Sequence, residues 1–180
     1  MKVELSVSHQ EDNSESDSSV PLSYIQCFEK VFCEELARLD QSLSRYPVIE
    51  VSLTVVSEKI MKDLNMEYRG IDKPTDVLSF PLWENSGTFD PPYEWQVLPL
   101  GDILFCPAVL GRQDFLKENG SPLDMETIIS HGFLHLLGWD HAEAEEEKKM
   151  EEEQENIANR VHQCVKAARG QDYGNEEVSV

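Results

Sequence analysis

Three of the chain's five histidines fall within eleven residues, in the run His131-Gly-Phe-Leu-His135-Leu-Leu-Gly138-Trp-Asp-His141. This spacing constrains the backbone more tightly than any other feature of the sequence. Residues four apart on an α-helix are neighbours on one face, so His131 and His135 present two imidazoles to a common point. Gly138 lets the chain turn through a left-handed conformation at the helix end, which brings His141 back from beyond it. Three neutral imidazoles leave a fourth position for water, the pattern of a catalytic zinc site and not of a closed structural one. The expectation is one zinc ion per chain, held by His131, His135 and His141. Phe133, Leu134, Leu136 and Leu137 are left to pack the other faces of the helix. His9 and His162 read as surface residues.

The spacing H-x-x-x-H-x-x-G-x-x-H is shared with metzincin proteases, in which the second motif position is a glutamate acting as general base. Here that position is Gly132. Peptidase chemistry would need a base from elsewhere in the chain, whereas a metal alone can still activate water and polarise a phosphoryl oxygen.

Around this helix the pattern predicts an α+β fold, one mixed sheet of about four strands packed with about five helices. Val3, Leu5 and Val7 alternate with polar residues as a half-buried strand does. Residues 22–39 place Ile25, Phe28, Phe32, Leu36 and Leu39 at helical spacing. A second strand covers 48–56, and Ser57 caps a helix that ends near Gly70. Residues 76–82 read as a strand near a sheet edge because Pro81 closes it. The aromatic segment from Trp83 to Trp95 reads as a loop folded down by its own side chains. Residues 101–105 form a fourth strand. Helical spacing resumes over 107–117 and stops at Gly120. Ser121, Pro122 and Asp124 supply the cap, first-turn proline and N3 acid of the histidine helix. A long acidic helix follows over about 142–168. The whole of 1–180 reads as one domain with an acidic loop at about 9–19 and an acidic helix and tail at about 142–180.

The balance of 15 basic against 35 acidic residues gives a formal charge of −20. About half of that excess lies in the two ends. A broad basic face for nucleic acid is therefore excluded, and phosphate attraction has to be local. Lys59, Lys62, Arg69 and Lys73 form the densest basic group outside the C-terminal helix. Cys27, Cys33, Cys106 and Cys164 contain no C-x-x-C pair and read as reduced, buried thiols. The N-terminal residues lack the apolar core of a secretory signal, and no apolar run approaches membrane-spanning length. The expected location is cytoplasmic, with no membrane partner.

The run HGFLHLLGWDH, preceded by LNMEYRGIDKPTDVLSFP and by LGDILF, resembles the YbeY family of bacterial rRNA maturation factors across about 53–141. The resemblance implies a zinc-dependent, single-strand-specific endoribonuclease acting in small-subunit rRNA 3′-end maturation and ribosome quality control. It also implies single-stranded rRNA or pre-rRNA as substrate. The small ribosomal subunit, its proteins and an assembly GTPase would be partners. His131, His135 and His141 match the family's metal ligands, and Arg69 matches the arginine important for its activity. A guanidinium in that place can grip a phosphate through two parallel hydrogen bonds. The competing role for Arg69 is a surface ion pair with Glu67 or Asp72. Asp102, Asp140 and Ser79 are candidates for orienting a ligand histidine or a water, and Thr75-Asp76 for a turn or cap. Two other functions fit the same residues: a metalloprotease with a base outside the motif, and a non-catalytic assembly factor whose zinc stabilises the fold.

Overall fold

The computed structural model describes residues 1–10, 20–85, 88–110, 124–141 and 143–172. A four-stranded mixed sheet runs in the order β1 (Lys2–Gln10), β2 (Val48–Val56), β6 (Val97–Phe105), β3 (Val77–Pro81). The first three strands are parallel, and β3 lies antiparallel to β6 at the edge. Edge placement suits Pro81, which has no N–H to give to a further strand. Two short strands, β4 (Glu84–Asn85) and β5 (Thr88–Phe89), pair beyond β3.

β6 is longer than the 101–105 expected, because Val97 and Leu98 pair with Val48 and Ile49 on β2. The register shifts between Glu50 and Val51, opposite Pro99 to Gly101. A bulge of this kind absorbs a proline that cannot contribute to the ladder. β1 likewise runs on to Gln10, so His9 belongs to a strand, while the rest of the predicted acidic loop lies outside the described residues.

The helices are α1 (Leu22–Leu39), α2 (Glu58–Arg69), α3 (Met125–Leu136) and α4 (Ala144–Asp172), with short 3-10 turns at Gln41–Arg45 and Pro107–Val109. Ser57 Oγ caps α2 by accepting from Ile60 N at 3.3 Å, as its sequence predicts. The helix expected over 107–117 is not formed at its start. After one 3-10 turn Leu110 turns extended, with Val109 drawn into a small core with Cys106 and Met61. The rest of that segment, Gly120 included, lies outside the described residues. α3 is capped by Asp124, which accepts from Thr127 N at 2.8 Å; Ser121, the expected cap, lies outside the described residues. The predicted N3 acid therefore serves as the cap itself.

The main core is built from α1, α3, α4 and one face of the sheet. Phe32 of α1 stacks on Phe133 of α3 with centroids 3.8 Å apart and planes nearly parallel, a pair worth about 0.5–1.5 kcal/mol beyond area burial. α2 and the Pro107–Val109 turn cover a second, smaller cluster with Val56, Leu78 and Cys106. Of the aromatic loop, Trp83 donates to Pro99 O at 2.5 Å and Phe89 packs on the core, so these two fold down as expected. Tyr93 stays exposed, with Arg45 over its ring.

α4 is fastened to α1 by charge and by a crosslink. Glu35 of α1 is completely buried and is paired by Arg38 and by Arg160 of α4. Cys27 and Cys164, 137 positions apart in sequence, form a disulfide with Cα atoms 5.7 Å apart. The expectation of four reduced thiols is corrected to two. Cys33 and Cys106 stand outside the crosslink, and of the two only Cys106 is buried. Local spacing of the cysteines carries no information about two helices so distant in the chain. Removing the crosslink with Cys27→Ser and Cys164→Ser, or with reductant, is expected to lower the free energy of unfolding by about 2–4 kcal/mol. Urea unfolding of the oxidised, reduced and double-variant proteins under one buffer measures it, and coincident midpoints would show that the crosslink adds no stability.

Candidate metal centre

α3 delivers two of the three histidines. Its sheet-facing side is so closely packed that residue 132 has no room for a side chain. A Cβ there would lie 2.9 Å from Ile103 Cγ2 and 3.0 Å from Ser79 Oγ. The helix thus lies flush on β3 and β6, with Phe133, Leu134 and Leu136 buried and His131 and His135 turned to the rim. Gly138 follows with φ +78°, the left-handed turn its position requires, and leads the chain to His141. Asp140 Oδ1 accepts from His141 N at 2.8 Å and steadies that return.

The three imidazoles converge: one ligand nitrogen from each lies within 4.8 Å of the others. His131 and His135 are half-buried and His141 is exposed. His135 Nδ1 lies 2.8 Å from the Trp139 carbonyl oxygen. A carbonyl only accepts, so Nδ1 carries the hydrogen and Nε2 of the neutral ring is a bare lone pair. His131 Nδ1 lies 2.8 Å from Gln154 Oε1, which is likewise an acceptor. The two bare Nε2 atoms then face each other at 3.0 Å. Two lone pairs so placed repel unless a cation lies between them, and that donor set fits a divalent ion.

The electrostatics favour the ligating form. Burial lowers the pKa of His135 to about 4, and the neighbouring His131 adds to the shift while the bond to Trp139 opposes it. Burial also lowers that of His131 against the opposing bond to Gln154. Both rings are neutral at pH 7, the protonation state a metal requires.

A cavity of about 240 Å³ opens onto the histidines, and Arg69, Thr75, Asp76, Ser79 and Gln154 share its wall. Arg69 stands at the last turn of α2 and forms no ion pair among the described residues. Asp72, one of its proposed surface partners, is taken by Lys62 at 3.2 Å. Asp76 Oδ1 accepts from Val77 N at 2.9 Å and from the Thr75 hydroxyl at 3.1 Å, which fixes the entry to β3. Ser79 Oγ is buried without a partner among the described residues. Asp102 is exposed and lines none of the cavities around the histidines, so it has no place in ligand orientation.

The groups that do orient the rings, the Trp139 carbonyl and Gln154, were not among the sequence candidates. A backbone carbonyl leaves no residue signal. Gln154 did leave one, since it interrupts the apolar stripe Met150, Ile157, Val161 and Val165 of α4.

An α+β chain with three convergent histidines at an open cavity belongs to the class of metal-dependent hydrolases. Residues 10–162 match the family described as Endoribonuclease YbeY. The chain is 42% identical over 120 residues to the endoribonuclease YbeY of Shouchella clausii, covering 65% of this chain and 75% of that protein. It is 38% identical over 131 residues to the endoribonuclease YbeY of Frankia alni, covering 69% and 70%. The solution structure of TM1509 from Thermotoga maritima matches with a TM-score of 0.47 at 25% identity, over 98% of this chain and 99% of that one. The chain belongs to the endoribonuclease YbeY family, and with that membership it is a nuclease. Among the described residues no helix is long and apolar enough to cross a membrane.

The depressed histidines have a consequence for stability. In the unfolded chain these rings bind a proton near pH 6.5, whereas folded His135 does so only near 4. The unfolded state binds more protons in that window, so acidification through it favours unfolding. The melting temperature of the metal-free protein is expected to fall as pH drops from 6.5 toward 4, and His135→Asn to flatten the slope. Thermal melts across that range check it, and a variant slope equal to that of the parent would refute the assignment.

Proposed function

We propose that this protein is a zinc-dependent, single-strand-specific endoribonuclease that acts in small-subunit rRNA 3′-end maturation and ribosome quality control. The observation that carries the reading is the meeting, at one cavity, of three imidazoles and an Arg69 that forms no ion pair among the described residues. His131, His135 and His141 would hold one zinc ion, which when bound supplies Lewis acidity toward a phosphoryl oxygen and an activated water. The chain's own part is positioning. The Trp139 carbonyl and Gln154 orient two ligand rings, and the Arg69 guanidinium binds the scissile phosphate through paired N–H donors and stabilises its growing negative charge.

The substrate is single-stranded rRNA or pre-rRNA. The acidic surface gives little general affinity for it, so the small ribosomal subunit, its proteins and an assembly GTPase supply the placement. The protein works as one domain in the cytoplasm. The protease reading needs a base from outside the motif, because the motif position is Gly132, packed closely against Ile103 and Ser79.

Purified protein is expected to contain about one zinc per chain. His135→Ala is expected to lose both metal and cleavage, and Arg69→Ala to keep metal while losing about 100-fold or more in kcat. Elemental analysis paired with a chelator-controlled cleavage assay on small-subunit rRNA precursor tests all three, with unfolded casein as the protease control. Cleavage by metal-free protein would defeat the mechanism.

A further inference from the structure

We infer that Gln154 of α4 is a positioning residue of the metal centre, holding His131 in the Nδ1–H tautomer so that Nε2 is offered as a ligand. The inference rests on the reading of the three histidines as a metal site. It adds that the site is completed by a helix beyond the last ligand, through a side chain outside the histidine motif.

Three observations meet at this residue. The first is its place on the helix. Met150, Ile157, Val161 and Val165 recur at spacings of three and four and are buried against the core. Position 154 belongs to the same inward stripe and carries an amide where packing alone calls for an aliphatic side chain. Turning an amide inward without a partner costs free energy that a Leu or Met there would not incur. The second is its partner: Oε1 lies 2.8 Å from His131 Nδ1. The third is its location between two cavities that share His131 and His141, the one with Arg69 and a second of about 200 Å³ with Glu147, Met150 and Glu151.

The amide oxygen can only accept, which places the ring hydrogen on Nδ1 and leaves Nε2 directed at His135 Nε2. An imidazole free to rotate or to change tautomer would present Nε2–H to the ion for part of the time. Partners of this kind commonly account for 10–100-fold in metal affinity. The choice of an amide in place of a carboxylate also matters. A carboxylate would raise the basicity of the imidazole it accepts from, while a neutral amide orients the ring and leaves its donor strength close to that of an ordinary imidazole.

The test compares full-length protein with Gln154→Leu and Gln154→Glu. Zinc affinity is measured by competition with a chromophoric chelator, and the imidazole N–H protons of the zinc-loaded proteins are followed by NMR. Gln154→Leu, which fits the apolar stripe, is expected to melt at or above the parent temperature yet bind zinc about tenfold more weakly. It is also expected to lose the protected His131 Nδ1–H signal while keeping that of His135. Gln154→Glu keeps an acceptor, so it is expected to retain the signal and bind zinc at least as tightly as the parent. A merely structural role for Gln154 would move the melting temperature and not the His131 proton. Leu and parent proteins with affinities within about twofold and the same protected protons would overturn this inference alone. A parent protein that takes up no zinc would overturn the metal-centre reading and this inference together.

Discussion

The contact between α3 and the sheet at Gly132 sets the geometry on which the centre depends. With Ile103 Cγ2 and Ser79 Oγ at 2.9 and 3.0 Å from where a Cβ would stand, a larger residue would have to displace those side chains or the helix itself. Because it lies flush, Phe133 and Leu136 are buried and His131 and His135 come to the rim beside Val77 and Ser79. The same close packing accounts for the missing general base of the protease pattern. In this fold that motif position is spent on helix-to-sheet contact.

The other side of the centre is set by α4. This helix is anchored to α1 through buried Glu35 with Arg38 and Arg160, and through Cys27 and Cys164. A buried carboxylate stripped of its partners is strongly destabilising, so these contacts specify how α4 seats as well as whether it does. Seating α4 is what brings Gln154 to His131. The centre is therefore assembled from elements spread over most of the chain, with α1 acting through α4.

A net charge of −20 and an RNA substrate are reconciled by where the free positive charge lies. Lys59 and Lys62 look like a basic track in sequence, yet they pair with Asp63 at 3.4 Å and Asp72 at 3.2 Å. Exposed pairs of this kind are weak and leave the surface locally neutral. Arg69 and Lys73 have no such partner among the described residues, and of the two Arg69 lines the histidine cavity. Under the proposed function, that is the cation placed to meet the phosphate.

How much was legible in sequence follows from the range of each interaction. The clustering of the three histidines, the left-handed turn at Gly138, the Ser57 cap and the edge position of β3 are local, because spacing along a helix or a proline in a strand translates directly into geometry. The starts of α3 and β6 differ from the sequence expectation, because the choice of cap and the pairing with β2 decide them. The sequence by itself determined that three imidazoles converge and that one sheet is layered with helices. Only the tertiary structure decided that Gln154 faces His131, that Cys27 meets Cys164, that residue 132 is pressed on the sheet and that Arg69 stands without an ion pair among the described residues. Each of these depends on which elements pack together, and contacts between residues 23 to 137 positions apart leave no periodicity to read.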